Sequence, residues 1–400
     1  MLAQVLALGF TQTIAWAAST YLIAILAQPI AVELGLATST VYGAFSVALI
    51  VMGITGPAAG RLIDRHGGRG VLAVSNLVLA GGLVMLGTAT SPVALYAAWC
   101  VLGAGMAIGL YDAAFAALVR LHASEARAPI TGITLIAGFA STVGWPVTAF
   151  LAEHYGWRAS CFAWAAALVF LALPLNLLCI PAVKRAGTRS SHDAPHVEGQ
   201  LRERQPPSSD YRRSFFLVAL FGGATAFVTS AMAAHLPGLL LAVGTGTVAA
   251  VAAAAMLGPA QVAARLVEFL ATRRFHFHPL LTARIATATH PVGGVMLMLL
   301  GGPAYAAAAF AILHGAGNGM ITIAKGTLPL AIFGAAGYGE RQGLLNILGR
   351  GMQAVAPFAF GLVLDQHGAP AALTLSVALS LIALAALLAL QPERSSARGT

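Results

Sequence analysis

Twelve apolar segments, each long enough to cross a lipid bilayer, dominate this sequence of 400 residues. A transmembrane helix needs about 20 mostly apolar residues. The segments run over residues 5–28, 41–60, 71–89, 93–119, 129–152, 159–180, 214–241, 246–270, 280–300, 304–330, 341–364 and 370–390. Inside lipid every backbone polar group needs an internal partner, and a helix supplies it. The sequence therefore predicts an all-α integral membrane protein with twelve transmembrane helices.

Composition and motifs exclude several classes of protein. Charged residues make up 9% of the chain, against about a quarter in soluble domains. No H-E-x-x-H motif, Walker loop or nucleophile–histidine signature is present, so neither an enzyme nor an ATP-driven pump is expected. The cysteines, Cys100, Cys161 and Cys179, lie in apolar segments without ligand spacing, so we expect no metal and no cofactor.

The net charge of +9 suggests nucleic acid, but the distribution of the basic residues argues against it. With the N-terminus in the cytoplasm, the outer loops carry a single basic residue, Arg158. The inner loops and the C-terminal tail carry Arg61, Arg65, Arg69, Arg120, Arg127, Lys184, Arg185, Arg189, Arg202, Arg204, Arg212, Arg213, Arg265, Arg273, Arg274, Arg284, Arg341, Arg394 and Arg398. This positive-inside bias predicts a multi-pass protein of the plasma (inner) membrane with both termini in the cytoplasm.

The two halves of the sequence repeat each other. Residues 181–213 form a polar interval rich in Ser, Pro and Arg, which predicts a cytoplasmic linker between domains at 1–180 and 214–400. Three pairs of segments recur about half a chain apart: GPAAGRLID (56–64) with GPAQVAARLVE (258–268), GAG (103–105) with GAG (315–317), and FLAEHYG (150–156) with LVLDQHG (362–368). Two pseudo-symmetric six-helix bundles around a central cavity are a transporter design.

One loop resembles a family signature. GRLIDRHGGR, at Gly60–Arg69 between the second and third spans, matches the pattern G-x-L-x-D-R-x-G-R-R of the major facilitator superfamily of secondary transporters. The chain resembles this family over nearly its whole length. The resemblance implies a monomeric carrier without cofactors, in which this loop packs on the eleventh span and latches the cytoplasmic side closed.

The candidate gate residues follow from that signature. They are Gly60, Arg61, Asp64, Arg65, Gly67 and Arg69, with Arg265 and Glu268 in the copy in the second half. The glycines permit a tight turn and close helix approach, and a carboxylate is stabilised at a helix N-terminus. An alternative remains open, in which these charges only enforce the topology.

Three charges of the apolar spans share about one depth in the membrane: Asp112 in the fourth, Lys325 in the tenth and Arg350 in the eleventh. Each is about 10–20 Å from the cytoplasmic end of its span, and the family architecture turns them toward one cavity. Lys325 and Arg350 are candidates to hold an anion, and Asp112 is the candidate proton carrier. The alternative interpretation is a structural salt bridge between Asp112 and one of the two cations. Because the three charges include two cations and one carboxylate, one cation is in excess, which favours an anionic substrate.

Polar residues at helical spacing extend this candidate site. His314, Asn318, Thr322 and Lys325 form a stripe on the tenth span, and Asn346, Arg350 and Gln353 form one on the eleventh. The candidate substrate ligands are Lys325, Arg350, Asn318, Thr322, Asn346, Tyr111 and His235. For His235 a backbone hydrogen bond, and for Tyr111 simple packing, are the alternatives.

These residues lead to a functional expectation. We expect a carrier of a small organic anion, monocarboxylate-like or a related oxyanion, driven by protons or by exchange. The stretch from Gly9 to Thr40 also resembles the opening of monocarboxylate and oxalate carriers. The alternative is a proton-driven exporter of drugs or toxic compounds, but Trp99 stands where such members carry an arginine. A receptor that kept the carrier fold is a third possibility.

Overall fold

The predicted crossings are present as long helices. The computed structural model describes residues 1–182, 209–275 and 277–390, and within these ranges it contains no β-strand. Among the described residues, eleven helices are long and apolar enough to cross a membrane. The last of them, Tyr338–Ala389, contains two crossings, because Gly368 adopts a non-helical φ of 77° that glycine tolerates. The prediction of an all-α membrane protein with twelve crossings is confirmed.

We number the crossings in chain order and call the membrane side on which the first begins and the last ends the termini side. Their bounds are α1 Leu2–Leu34, α2 Thr38–His66, α3 Gly68–Gly87, α4 Pro92–His122, α5 Arg127–Tyr155, α6 Trp157–Cys179, α7 Ser209–Ala242, α8 Thr247–Phe275, α9 Pro279–Leu300, α10 Ala304–Phe333, α11 338–367 and α12 369–389.

The link between the halves differs in part from the prediction. Helix α7 begins at Ser209, so residues 209–213, which were predicted as linker, are helical. The remainder of the predicted linker, residues 183–208, lies outside the described residues.

Four crossings are interrupted partway along. The breaks fall at residues 18–21 in α1, 110 in α4, 138–139 in α5 and 256 in α8. In α4 the interrupting residue, Leu110, has φ −85° and ψ −168°. Gln12 Nε2 donates a hydrogen bond of 2.6 Å to the neighbouring Gly109 carbonyl. Such side-chain bonds are what make a break tolerable inside lipid.

Each half has a hydrophobic core of its own. Trp99 and Leu79 are fully buried in the first half, and Phe360 is fully buried in the second. A further apolar cluster crosses between the halves, because Leu330 and Tyr338 of the second half are buried among residues of the first. The halves meet along a seam, where α2 packs against α11 and the first segment of α5 packs against α8. The residues that lie along this seam form the candidate functional site.

Candidate functional site

The closest approach between the halves is the crossing of α2 and α11 near the termini side. A Cβ atom built on Gly60 would lie 1.9 Å from the carbonyl oxygen of Gly339, so a side chain has no room there. Asp64 accepts hydrogen bonds from the amides of Gly339 (3.0 Å) and Glu340 (2.9 Å). These amides belong to the first turn of α11, where orphan N–H groups and the helix dipole stabilise a carboxylate.

The other residues of this loop contribute less to the contact. Arg61 pairs with Glu340 at 3.1 Å, but both side chains are almost half exposed, and exposed pairs stabilise little. Gly67 ends α2 with a φ of 81°. Arg65 and Arg69 make no ion pair or side-chain hydrogen bond within the described part of the chain, so the structure does not bring these two arginines into the contact.

The second half provides a corresponding contact between α8 and α5. The buried Glu268 pairs with Arg127, the first residue of α5, at 3.5 Å. Thr272 donates to Glu268 at 3.0 Å and accepts from Arg127 at 3.3 Å. Arg127 also donates to the carbonyl of Phe277. These bonds tie the start of α5 to the end of α8 on the termini side.

Arg265 lies deeper than an inner loop, where the count of basic residues placed it. It falls within the predicted eighth span, 246–270, and in the structure α8 continues for ten residues beyond it to Phe275, or about 15 Å of helix. Its guanidinium is buried and donates to the carbonyls of Thr134 in α5 (3.1 Å) and Gly319 in α10 (3.3 Å). It also approaches Thr322 Oγ1 at 3.5 Å. Arg265 is therefore a cation within the membrane, in the seam between the halves.

An aromatic wall faces this cation from the first half. Trp16 and Tyr111 lie 4.9 Å apart between ring centroids, Tyr111 stacks on Phe115 at 5.3 Å, and Tyr21 meets Trp145 edge-on at 5.7 Å. The charge of Arg265 acts on both Tyr21 and Tyr111. Trp16 also lies 6.0 Å from Tyr21 between ring centroids. We call these five side chains the aromatic wall: Trp16, Tyr21, Tyr111, Phe115 and Trp145.

An ion pair joins the halves within the membrane. Arg350 Nη2 in α11 lies 3.0 Å from Asp112 Oδ2 in α4. Asp112 stands in the first turn of the helical segment that restarts after the break at Leu110. Arg350 Nη1 also donates to Gln353 Oε1 at 2.9 Å. The side chains of Asp112 and Arg350 are 23% and 15% exposed, so the ion pair is partly accessible to solvent.

Lys325 lies near this pair but not in it. The charges of Arg350 and Asp112 both act on Lys325, yet within the described ranges its ammonium has no ion pair or hydrogen bond. It lines a small pocket with Asn346 and Gln342. Asn346 Nδ2 and Gln342 Oε1 are buried atoms without a partner among the described residues. The structure thus brings all three predicted charges together, with one cation left over.

Other predicted ligands have bonding partners within the second half. Asn318 Oδ1 accepts from Thr229 Oγ1 at 3.0 Å, and Thr322 donates to the Asn318 carbonyl at 2.9 Å. A ring nitrogen of His235 lies 2.7 Å from the Pro357 carbonyl, which is the backbone bond that the sequence left open as its alternative role.

The predicted stripe on α10 is wrong at one end. His314 is buried and stacks on His290 of α9, with ring centroids 4.4 Å apart. Its side chain therefore lies between α9 and α10 and does not continue toward Lys325. His314 and Lys325, eleven residues apart, lie within about 20° of each other around the helix but about 16 Å apart along it, so they meet different neighbours because they lie at different depths.

The contacts across the seam are concentrated on the termini side. Among the described residues, the hydrogen bonds and ion pairs that join the halves lie in the half of the membrane next to that side, apart from Ser46 Oγ donating to the Ala354 carbonyl at 3.5 Å. These contacts join the two halves on the termini side.

Comparisons with known proteins agree on one family. The model of the Major Facilitator Superfamily matches residues 8–351. The human organic anion transporter MFSD10 (TETRAN) superposes with a TM-score of 0.75 at 16% identity, over 96% of this chain and 99% of that one. The transporter FucP in its outward conformation gives 0.69 at 14% identity, over 96% and 97%. At such identities these likenesses show the fold alone.

A curated relative is also similar over part of the chain. It is an uncharacterized 38 kDa protein in the 23S RNA operon of Thermoproteus tenax, 30% identical over 154 residues. The match spans 38% of this chain and 40% of that protein.

Proposed function

This chain belongs to the Major Facilitator Superfamily and is a secondary transporter, and we propose that it carries a small organic anion by alternating access. The substrate is a monocarboxylate-like compound or a related oxyanion, and transport is coupled to protons or to exchange. The observation that carries this proposal is the excess of positive charge along the seam. Arg265, Lys325 and Arg350 lie within the membrane along the seam. Asp112 pairs with Arg350, and among the described residues no carboxylate pairs with Arg265 or Lys325.

That excess of charge selects for an anion. Uncompensated charges at membrane depth are costly and usually mark a substrate or ion pathway. One cation is neutralised by Asp112, and an anionic substrate neutralises another when it binds. Guanidinium groups bind carboxylates and other oxyanions by two parallel hydrogen bonds. MFSD10 is named an organic anion transporter, which accords with this substrate class.

We assign distinct roles to the candidate residues. The cations and the free amide of Asn346 hold the anionic group, while Tyr111 and the rest of the aromatic wall receive the apolar part. Asn318, Thr322 and His235 fix the inner face of the second half through the hydrogen bonds described above. Asp112, which pairs with Arg350 at 3.0 Å, carries the proton.

The contacts on the termini side act as the gate in this proposal. Asp64, with Gly60 and Arg61, latches α2 to α11, and Glu268 latches α8 to α5 through Arg127. The positive-inside rule orients the molecule with the termini side in the cytoplasm, in the plasma membrane. The structure is then the state closed to the cytoplasm, and the transporter works as a monomer.

Ligand-induced stabilisation tests the substrate class. Purified protein in detergent is heated with small carboxylates or phosphate, or with lipophilic cations. A ligand at 100 times its Kd raises the free energy of unfolding by about 2.7 kcal/mol. We expect an organic anion to stabilise the wild type but neither Lys325→Ala nor Arg350→Ala. Arg69→Ala, which removes an arginine that is not part of either contact, should respond like the wild type.

Two outcomes would contradict the proposal. Stabilisation by lipophilic cations alone would favour the alternative of a drug exporter. An anion effect that survives in both Lys325→Ala and Arg350→Ala would remove these residues from the binding site.

A further inference from the structure

The aromatic wall has a buried end and an open end. At the buried end, Phe115 is 2% exposed and Tyr111 stacks on it. At the open end, Trp16 and Tyr21 are partly exposed and Trp145 is 43% exposed. The wall therefore leaves three aromatic side chains with uncovered ring surface.

The break in α1 brings two of these rings together. Trp16 and Tyr21 are five residues apart, which on a regular helix is about 140° around the axis. In this chain the Tyr21 amide donates to the Trp16 carbonyl at 3.0 Å, a bond over five residues that makes a wider turn than an α-helix. The two ring centroids then lie 6.0 Å apart. The interruption of α1 thus places both rings on one face.

The open end of the wall faces the gap between the halves. The charge of Arg265, which lies in the seam, acts on Tyr21 and Tyr111, so these rings lie beside the seam. Away from the termini side, the second segment of α5, Ala140–Tyr155, packs against α1 and α6. The corresponding segment of α8, Thr247–Ala255, packs against α7 and α10. Each segment thus packs within its own half, and the open rings border the space between them.

The same surface presents hydrogen-bond donors without partners. Trp16 Nε1 is a buried donor with no partner among the described residues. The hydroxyls of Tyr21 and Tyr111 make no hydrogen bond within the part of the chain that the structure describes. Across the seam, the bonds of Arg265 to α5 and α10 use three of its N–H groups, and a guanidinium has five. Unused donors beside a cation favour an oxyanion.

The spacing of the wall suits a planar aromatic ring. Aromatic pairs prefer stacked or edge-on arrangements with centroids 4.5–7 Å apart, and the wall already uses such spacings, from 4.9 Å to 6.0 Å. A further ring can continue this packing, whereas an aliphatic chain gains only the burial of its surface. The faces of aromatic rings are negative, so a carboxylate on the added ring turns away from the wall and toward the cations.

We propose that the substrate is an aromatic monocarboxylate, whose ring packs on Trp16, Tyr21 and Trp145 while its carboxylate points toward Arg265 and the other cations of the seam. The inference rests on the proposed function and narrows its substrate class. The second half of the protein selects for negative charge, and the first half selects for a planar ring.

A pair of matched ligands tests this selection. Benzoate and cyclohexanecarboxylate have the same number of carbon atoms and the same charge, but only benzoate has a planar aromatic ring. Purified protein in detergent is heated with each, and the concentrations that raise the unfolding midpoint equally give the ratio of the two Kd values. We expect benzoate to bind about two- to tenfold more tightly, which is the range that aromatic pairing adds beyond surface burial.

Substitutions in the wall test whether these rings cause the preference. Tyr21→Leu and Trp145→Leu keep an apolar side chain but remove the ring, so the ratio should fall toward one. Phe216→Leu is the control, because this exposed phenylalanine of α7 lies outside the wall, and the ratio should stay at the wild-type value. Both ligands are measured on the same protein, so a general loss of stability does not change the ratio.

The outcomes separate this inference from the proposed function. Equal binding of benzoate and cyclohexanecarboxylate, or a preference that persists in both wall variants, would overturn the aromatic substrate class and leave an anion carrier in place. Binding of aliphatic carboxylates or phosphate without binding of benzoate would do the same. If no organic anion binds at all, the proposed function fails together with this inference.

Discussion

The crossing of α2 and α11 allows a quantitative prediction for Gly60→Ala. The added Cβ would lie 1.9 Å from the Gly339 carbonyl oxygen and 2.6 Å from the Glu340 nitrogen, all backbone atoms that cannot rotate away. Contact at a van der Waals distance of about 3.5 Å requires the helices to separate by about 1.5 Å. The two hydrogen bonds of Asp64, now 2.9 and 3.0 Å, would then lengthen to about 4.5 Å and no longer count as bonds.

The free energy at stake follows from those two bonds. A hydrogen bond to a charged group contributes about 1.5–3 kcal/mol, and Asp64 is partly exposed, so we take the lower end for each. The sum of about 3 kcal/mol corresponds to a change of about 100-fold in the ratio of closed to open molecules. Gly60→Ala should therefore shift the protein strongly toward the state that is open on the termini side.

Spin labels can measure this shift directly. Cysteines introduced at the exposed Arg65 of the first half and Arg274 of the second carry the labels, and pulsed electron resonance gives their distance distribution. Gly60→Ala should populate a longer distance that is minor in the wild type. Gly70→Ala is the control, since a Cβ there meets open space. An unchanged distribution in Gly60→Ala would refute the argument that this contact holds the termini side closed.

Two further substitutions test buried contacts by unfolding in detergent. Arg127→Gln leaves the buried Glu268 carboxylate without its cation and should cost about 3–5 kcal/mol. The double variant Arg127→Gln/Glu268→Gln should cost less, and an equal cost would contradict a buried ion pair. Tyr338→Phe removes a buried hydrogen bond of 2.7 Å to the Gly326 carbonyl and should cost about 1 kcal/mol. Tyr305→Phe, at an exposed position, is the control. An equal loss of unfolding free energy in Tyr305→Phe would show that the bond from Tyr338 to Gly326 does not stabilise the protein.

The fold was largely predictable because lipid imposes a simple rule on the chain. Each crossing must be a long apolar helix, and even the boundary inside Tyr338–Ala389 was marked by the sequence around Gly368. The breaks were harder to predict. Leu110 interrupts α4 although no proline lies nearby. What permits that break is Gln12, a residue almost one hundred positions away, and local patterns carry no information about such a partner.

The candidate site shows the same limit. The charges of Asp112, Lys325 and Arg350 were visible because charge is rare in apolar spans. Arg265 was counted with the inner-loop residues although the predicted eighth span, 246–270, contains it, because the alignment of the two halves gives the equivalent position but not the burial of the side chain. Its burial depends on carbonyls of α5 and α10 and on room beside Gly138, where a Cβ would lie 2.3 Å from its Nη1.

The two contacts explain why Ala264 stands in the second half where Gly60 stands in the first. In each half a carboxylate from the second helix meets the start of the fifth helix of the other half, where the helix dipole favours it. Asp64 reaches backbone amides, so α2 and α11 must almost touch, and a Cβ at Gly60 would lie 1.9 Å from the Gly339 carbonyl oxygen. Glu268 instead meets the long side chain of Arg127, so α8 and α5 do not need to approach as closely. An alanine is therefore tolerated beside Arg265 without loosening the contact.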